Sequence, residues 1–506
     1  MNLNQLATGV ISGYVFKAVQ FAASVALVPF LLDPAVLGVE DYGRAFALLG
    51  AFGMVSIATV GLHTSADRSL AKAVSAPSKT VEDQAALLGS AIKIHLLVSL
   101  VCLIPVFAFG TELLQLLGIP TTSPYRLALA ATIAITLFET ALYPVRSPLL
   151  ARGDLAYVNL IGMLELIGRT ATLFLWFSFC RPSIAAFLGI QAIFVLIRQL
   201  AFFFRIAPAE RRDLYRAPLM RSIQTVRYAG PVTLVEGSTL LIRNIPVILA
   251  SRFLGATEAG YVAIVANTLQ GYVLQIFVAV FQPLAVPLAS RLRLTEASPS
   301  RLHRFLQLEA TYGLGIATAF GQLIIWIPVV IPLWLGKEYS VIVLATQIMV
   351  AGCGIQTSTL IRRSILIGNG ALTAAIPTIT ASAIVASILI GFGIASLHSW
   401  LGAIAIGTAH YILSSMLGID RVFSSLFEGR APRERVPHVA SVTAIFAVSW
   451  LVARWSVDAT IYGLVGLSLT GVICAAAIGF ATIIPWRDAT ALATTLYRTR
   501  SVDLFE

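Results

Sequence analysis

The chain has 506 residues, 58% of them hydrophobic and only 12% charged, and its mean hydropathy is +0.87. That excludes an ordinary water-soluble globular protein, whose surface needs far more charge. The 35 Lys and Arg against 24 Asp and Glu leave a net charge of +11, but the basic residues fall between hydrophobic runs; this excludes a nucleic-acid-binding patch and reads as membrane topology.

Apolar runs bounded by Pro, Gly or charge reach twenty residues or more, the length that spans about 30 Å of hydrocarbon at about 1.5 Å per residue. Lipid offers backbone groups no hydrogen bonds, so such runs become helices. In chain order the pattern predicts spans near 7–32, 43–62, 86–109, 125–145, 155–180 and 183–204. Eight more follow near 229–250, 259–283, 305–330, 340–361, 371–396, 400–419, 437–453 and 459–484. The first run contains Lys17 and has no basic segment before it, so it reads as a spanning helix and not as a cleaved signal. The expected fold is therefore an all-α polytopic membrane protein with about fourteen transmembrane helices. Cys102, Cys180, Cys353 and Cys474 sit in or beside apolar segments without metal-ligand or pairing spacing, and read as packing residues. No metal and no cofactor is expected.

With the N-terminus inside, the even-numbered connections and the tail carry roughly 24 basic residues and the opposite side about six, which places both termini in the cytoplasm. An even helix count preserves this alternation.

The chain also repeats itself. Leu37-Gly38 is answered by Leu254-Gly255, and 255 − 38 gives an offset of 217. Gly13 and Gly230, Pro29 and Pro246, Arg146 and Arg363, Ser147 and Ser364, Leu149 and Leu366, and Gly153 and Gly370 keep the same register. The offset contains six predicted helices, so the copies insert in the same orientation as parallel repeats about an axis along the membrane normal. The organisation read from this is a six-helix bundle over 1–204, a basic cytoplasmic linker over 205–228, a second six-helix bundle over 229–420, and helices 13 and 14 with a cytoplasmic tail over 421–506. The two bundles form a pseudo-twofold pair facing a central cleft.

Charge at the bilayer centre costs at least about 2.5 kcal/mol, so each instance asks for a function or a partner. Lys17, Glu139, Glu165, Arg169, Glu236 and Arg243 lie near mid-span; Lys93, His95 and Arg198 lie nearer the cytoplasmic ends. Long side chains snorkel there, while His95 reads as a hydrogen-bonded packing residue. Glu165 and Arg169 have i, i+4 spacing and can pair on one helix face. Glu236 and Arg243 share a face seven residues apart. Lys17 and Glu139 have no sequence neighbour to pair with and point to a hydrated cavity. Helices 8 to 14 offer amides instead, among them Asn267, Gln270, Gln322, Gln347 and Gln356. A cluster of cations in a low-dielectric wall suits an anionic headgroup such as a diphosphate, with Lys17, Arg169, Arg198 and Arg243 as its contacts. Glu139, Glu165 and Glu236 then serve as charge partners or ion-coupling groups.

The N-terminal helix with Val28-Pro29, the following Leu37-Gly38-Val39-Glu40-Asp41-Tyr42-Gly43, the Gly61-Leu62 to Arg68-Ser69-Leu70-Ala71 exit of helix 2 and the Leu254-Gly255 to Gly260-Tyr261 echo carry a resemblance. Together they resemble the polysaccharide-transporter branch, including O-antigen flippases, of the multidrug/oligosaccharidyl-lipid/polysaccharide exporter superfamily. The resemblance implies a bacterial inner-membrane protein that turns over a polyprenyl-diphosphate-linked oligosaccharide by alternating access. Its implied partners are membrane lipids, that glycan, and a polysaccharide polymerase and export machinery. The related lipid II flippases have fourteen helices, the last two lining a groove for the lipid tail, which implies the same role for helices 13 and 14.

Two other readings compete. A multidrug antiporter of the same fold is expected to favour acidic residues for cationic drugs. A membrane-embedded glycan-processing enzyme needs a large outer loop or an acidic metal-binding motif. The absence of a Gly-rich Lys-Ser/Thr phosphate loop argues against ATP hydrolysis by this chain and for coupling to an ion gradient or the membrane potential.

Overall fold

The computed structural model describes residues 3–75, 81–206, 223–269, 271, 299–368, 371–426, 438–455, 468–469 and 471–473. Among them are seventeen α-helices, as backbones in hydrocarbon require. The first half contains α1 (Leu3–Leu32), α2 (Gly38–Ser75), α3 (Val81–Ala108), α4 (Gly110–Leu116), α5 (Ser123–Ala141), a 3₁₀ turn (Tyr143–Arg146), α6 (Ser147–Ala151), α7 (Leu155–Phe179) and α8 (Ile184–Arg205). Next come α9 (Ile223–Phe253), α10 (Ala256–Val262) with a π-helical extension (Ala263–Leu269), α11 (Pro299–Leu335), α12 (Val343–Ser358) and α13 (Leu360–Gly368). The last are α14 (Ile376–Leu397), α15 (Trp400–Leu413), α16 (Arg421–Leu426) and α17 (His438–Trp455).

Nine described helical segments are long and apolar enough to cross a membrane, or ten if α5 and the 3₁₀–α6 piece, bent by 43°, count as one broken span. The architecture is that of an all-α polytopic membrane protein. The twelfth and thirteenth expected spans correspond to α15, which runs through a π segment into α16, and to α17. Residues 272–283 of the eighth span, most of the fourteenth, and linker positions 207–222 lie outside the described residues.

The chain divides into two compact units, residues 1–276 with 379–407, and residues 277–378 with 408–506. In the first unit, α1 packs on α7 through small-to-large contacts: Gly9 meets Leu155, Phe16 meets Gly162, and Phe30 meets Phe174 at 4.4 Å between ring centroids. A polar pair reinforces the contact, with Asn159 Nδ2 donating to the Gly9 carbonyl at 3.2 Å and to Ser12 Oγ at 2.9 Å. Among the described residues of this unit, one apolar core gathers around Leu70, Leu88, Leu149 and Phe202 and another around Ile242, Ala386, Ile390 and Ala403.

The closest helix approach joins α2 to α9 and α10. A Cβ on Gly43 would collide with the Ala256 carbonyl and lie 2.5 Å from the Gly260 nitrogen; a Cβ on Gly260 would collide with Val39. Since 260 − 43 and 256 − 39 both equal 217, the contact is reciprocal. Equivalent positions of the two repeats face each other, as they must beside a two-fold axis. Farther along, Gly61 meets the Ala229 carbonyl and Thr233, and Gly53 meets Asn244, so small residues let the backbones approach over most of a span.

The repeat is visible in backbone conformation as well. Gly38 and Gly255 open the second helix of each copy at φ +68° and +109°, which glycine adopts without steric cost. Leu142 and Thr359, also 217 apart, end α5 and α12 with nearly identical dihedrals (φ −93°, ψ 1° and φ −91°, ψ 4°), and in both copies a short helix resumes directly afterwards.

In the second unit, α11, α12 and α17 pack together. Gly354 receives Phe446, and Gln347 Nε2 donates to the Ile324 carbonyl at 3.0 Å. The buried Arg362 guanidinium donates to both oxygens of Glu309 (2.7 and 3.0 Å) and to Asp420 (2.8 Å). Of the cysteines, Cys353 is buried against Met349 and Cys102 is half-buried. Cys180 departs from the expected packing role: it is exposed at the end of α7, where the helix gives way to extended backbone.

Replacing Gly43 with Val should force the α2–α10 backbones apart at a cost of about 1–3 kcal/mol. Gly189, whose Cβ position meets open space, is the control. Thermal unfolding of purified protein in detergent should show a lower midpoint for Gly43→Val and an unchanged or higher one for Gly189→Ala.

Candidate functional site

The structure gathers four of the seven predicted charges into one network in the first half. Glu165 and Arg169 form the expected i, i+4 pair on α7, 3.3 Å apart. From α8, Arg198 reaches Glu165 at 3.3 Å and Glu139 on α5 at 3.0 Å. Arg198, expected to snorkel or to meet a headgroup, thus bridges two acids from different helices. The network contains two cations and two anions and sums to zero. Its centre is Glu165, whose side chain is 7% exposed, and its outer edge is Glu139, at 49%.

Lys17 and Arg243 have contacts of another kind. Lys17 Nζ donates to Gln20 Oε1 at 2.9 Å and sits 4.9 Å from the centre of the Phe16 ring, beside the α1–α7 packing face. Arg243 on α9 donates through Nε to Asn267 Oδ1 (3.3 Å) and through Nη2 to the Asn267 carbonyl (3.2 Å). Asn267 belongs to the π-helical extension of α10, and a wide turn frees carbonyls that an α-helix would use internally. Gly271 approaches the same guanidinium at 3.2 Å from its Cβ position. Glu236 is half-buried on α9, two turns before Arg243. Amide groups thus contact Lys17 and Arg243, and carboxylates contact Arg169 and Arg198.

A second polar constellation escaped the charge survey. His63 and Asp67 on α2, His95 on α3, and Tyr143, Arg146 and Ser147 at the bend after α5 lie against one another. The His63 ring stacks on Tyr143 at 3.7 Å and on His95 at 5.1 Å, nearly parallel to both. The Arg146 guanidinium lies 3.9 Å from the Tyr143 ring centre and donates to its hydroxyl. Asp67 accepts from Ser147 and, at 3.4 Å, from Tyr143. Sequence reading treated Arg146 as a topology charge and His95 as a packing residue. The available signal was a His-x-x-x-Asp pair inside an apolar run together with a Tyr-Pro-x-Arg break.

Beside this cluster, α2, α3 and α9 enclose an open apolar cavity of about 450 Å³, lined by Ala58, Leu62, Ile94, Val98, Thr233 and Leu234 among others.

No protein family matches the sequence, and no curated protein does. Solved structures do. The chain is similar to the lipid II flippase MurJ in an inward closed conformation, with a TM-score of 0.63 at 13% identity, covering 92% of this chain and 99% of that one. It is similar to the Vibrio cholerae MATE transporter VcmN in its bent form, with a TM-score of 0.52 at 14% identity over 84% of this chain and 98% of that one. It is also similar to an inward-facing multidrug-resistance MATE transporter of the MOP superfamily, with a TM-score of 0.51 at 13% identity over 82% of this chain and all of the other. The fold is thus the one that MurJ and the MATE transporters share.

Removing one member of the ion network strands its partners in a poorly solvating environment, at a cost of about 3 kcal/mol. Glu165→Gln and Arg198→Gln should each lower the thermal midpoint of the purified protein. The double variant, with both charges gone, should recover more than half of the loss.

Proposed function

We propose that the chain is a flippase that moves a polyprenyl-diphosphate-linked oligosaccharide across the bacterial inner membrane by alternating access, for surface polysaccharide biosynthesis. The observation that carries this reading is the near full-length correspondence to a lipid II flippase, which extends over more of this chain than either MATE comparison does. The cationic groups in the spans support it. Lys17, Arg243, Arg169 and Arg198 are the contacts to the diphosphate, the first two beside amides and the last two in the ion network. Glu139, Glu165 and Glu236 balance these charges and offer places for a coupling ion. An Arg fork matches phosphate oxygens through paired hydrogen bonds, and a Lys adds a point charge.

On this reading residues 1–204 and 229–420 form the two six-helix halves, 205–228 the basic cytoplasmic linker, and 421–506 the appended helices and tail. Both termini lie in the cytoplasm, as the roughly fourfold excess of basic residues on that side supports. The glycan passes from a membrane-bound synthesis step to a polymerase and export machinery. An ion-coupled multidrug antiporter is the second reading, favoured by the two MATE structures and by the carboxylates of the ion network.

Depleting the protein should cause one lipid-linked oligosaccharide to accumulate on the cytoplasmic side, detected by mass spectrometry of extracted lipids. Lys17→Gln and Arg243→Gln should each lower glycan export about tenfold or more at unchanged protein level, as expected for loss of a hydrogen bond to a charged group. Unchanged lipid pools with increased drug sensitivity would favour the antiporter.

A further inference from the structure

The constellation at the bend after α5 has no part in diphosphate binding, yet it concentrates titratable groups within the membrane. Its order along the stack is Arg146, Tyr143, His63, His95. Three helical elements meet in it: α2, α3 and the 3₁₀ turn at the 43° bend.

The hydrogen bonds fix where a proton can go. His95 is 1% exposed, and its Nδ1 lies 2.7 Å from the Ala91 carbonyl. A carbonyl only accepts, so Nδ1 carries the hydrogen and Nε2 presents a lone pair. That Nε2 is buried without a hydrogen-bond partner. The Nε2 of His63 is likewise buried without a hydrogen-bond partner. Two unpartnered ring nitrogens thus lie in one stack, and each neutral imidazole has a nitrogen able to take a proton. The adjacent apolar cavity is lined by Leu62 and Ile94, their sequence neighbours, and not by the stack itself. A proton is the ligand that needs no cavity.

The charges around the stack decide what that proton does. Asp67 on the same helix and Arg146 at the bend sum to zero while both imidazoles are neutral. Glu139, at the end of α5, acts on Arg146 from farther away and is itself held by Arg198 from α8. The other nearby cation of α8, Arg205, is paired with Asp154. On the opposite side of α2, α9 contributes Thr233 and the Ala229 backbone against Gly61, with Glu236 as its acid farther along the helix. A proton on either Nε2 therefore puts a second positive charge within the stack that already contains the Arg146 guanidinium, where little water screens it.

We propose that this stack is a proton-binding site: one proton taken up from water at Nε2 of His63 or His95 opens the stack at Tyr143 and loosens the bend between α5 and α6. The site's place as the coupling site of a transport cycle rests on the flippase reading; proton binding itself does not. Protonation favours the conformation in which the added charge is better solvated, and the packed stack is the neutral state.

The test is hydrogen–deuterium exchange of residues 142–152 in the full chain, reconstituted in lipid nanodiscs, at about pH 8 and about pH 4, the lower value set well under the ordinary imidazole range near 6.5 because proton uptake has to overcome burial. After correction for intrinsic exchange chemistry, the wild type should exchange this segment about tenfold faster at the acidic pH, and His63→Phe/His95→Phe, which keeps flat rings, should exchange it at the same rate at both. If the double variant does not accumulate, His63→Gln and His95→Gln are compared singly, and at least one of them should reduce the ratio about threefold or more. A pH-independent wild type, or a ratio that survives these substitutions, overturns the proposal. Exchange requires no translocation, so a protein that passes this test and exports no glycan refutes the flippase reading alone.

Discussion

A carboxylate or guanidinium inside a span has no water to solvate it, and the polar architecture of this chain answers that constraint. Several of its intramembrane charges are held by groups from other helices. Arg198 links α8 to the acids of α5 and α7, and Asp67 takes hydroxyl donors from the bend after α5. In the second half, Arg362 is held by Glu309 and Asp420. Such bonds cost little to keep and much to break, because a lost partner leaves a charge stranded. They fix helix rotation and register in a solvent that gives apolar faces no reason to choose one neighbour over another.

Between the repeats the same solvent makes close backbone contact the natural adhesive. Dispersion and tight packing do what burial does in water, and glycine gives the closest approach. Gly43 and Gly260 occupy equivalent places in the two copies and touch each other's helices reciprocally. A side chain at either place would be duplicated in its effect by the symmetry, which is a physical reason for glycine to appear at this position in both copies. The near-identical endings of α5 and α12 at Leu142 and Thr359 extend the equivalence to the break in the fourth helix of each copy. After that break an arginine lies against an aromatic ring in each half: Arg146 on Tyr143, and Arg362, next to the repeat-equivalent Arg363, on Phe423 within its carboxylate clamp.

The spans and the repeat could be read from sequence because both are one-dimensional. Hydrophobic length and a constant offset survive without knowledge of helix rotation, so helical residues fall in all fourteen expected segments, wholly or in part, within the described residues. The Glu165–Arg169 pair was legible for the same reason, since i, i+4 spacing is a property of one helix. Arg198 was not, because its two acids come from positions 59 and 33 residues away and meet it only through the packing of α5, α7 and α8. The histidine stack was harder still. It needs a bend whose angle no pattern announces and rings from three elements, and neutral histidine contributes nothing to a charge count.

The neutrality of the ion network bears on how the membrane potential acts. Moving one elementary charge through 100 mV is worth about 2.3 kcal/mol, but a cluster that sums to zero does no net electrical work when it moves as a body. Glu139, Glu165, Arg169 and Arg198 are such a cluster, so on the proposed reading they hold helices together and tune the site without sensing voltage. On the two proposals, voltage acts instead on what changes charge during a cycle: an anionic headgroup at Lys17 and Arg243, and a proton at the stack. The two have opposite sign. A cycle that carries the headgroup outward and exchanges protons at the bend links the two forms of electrical work through α5, whose lower end forms the bend and whose Glu139 belongs to the ion network.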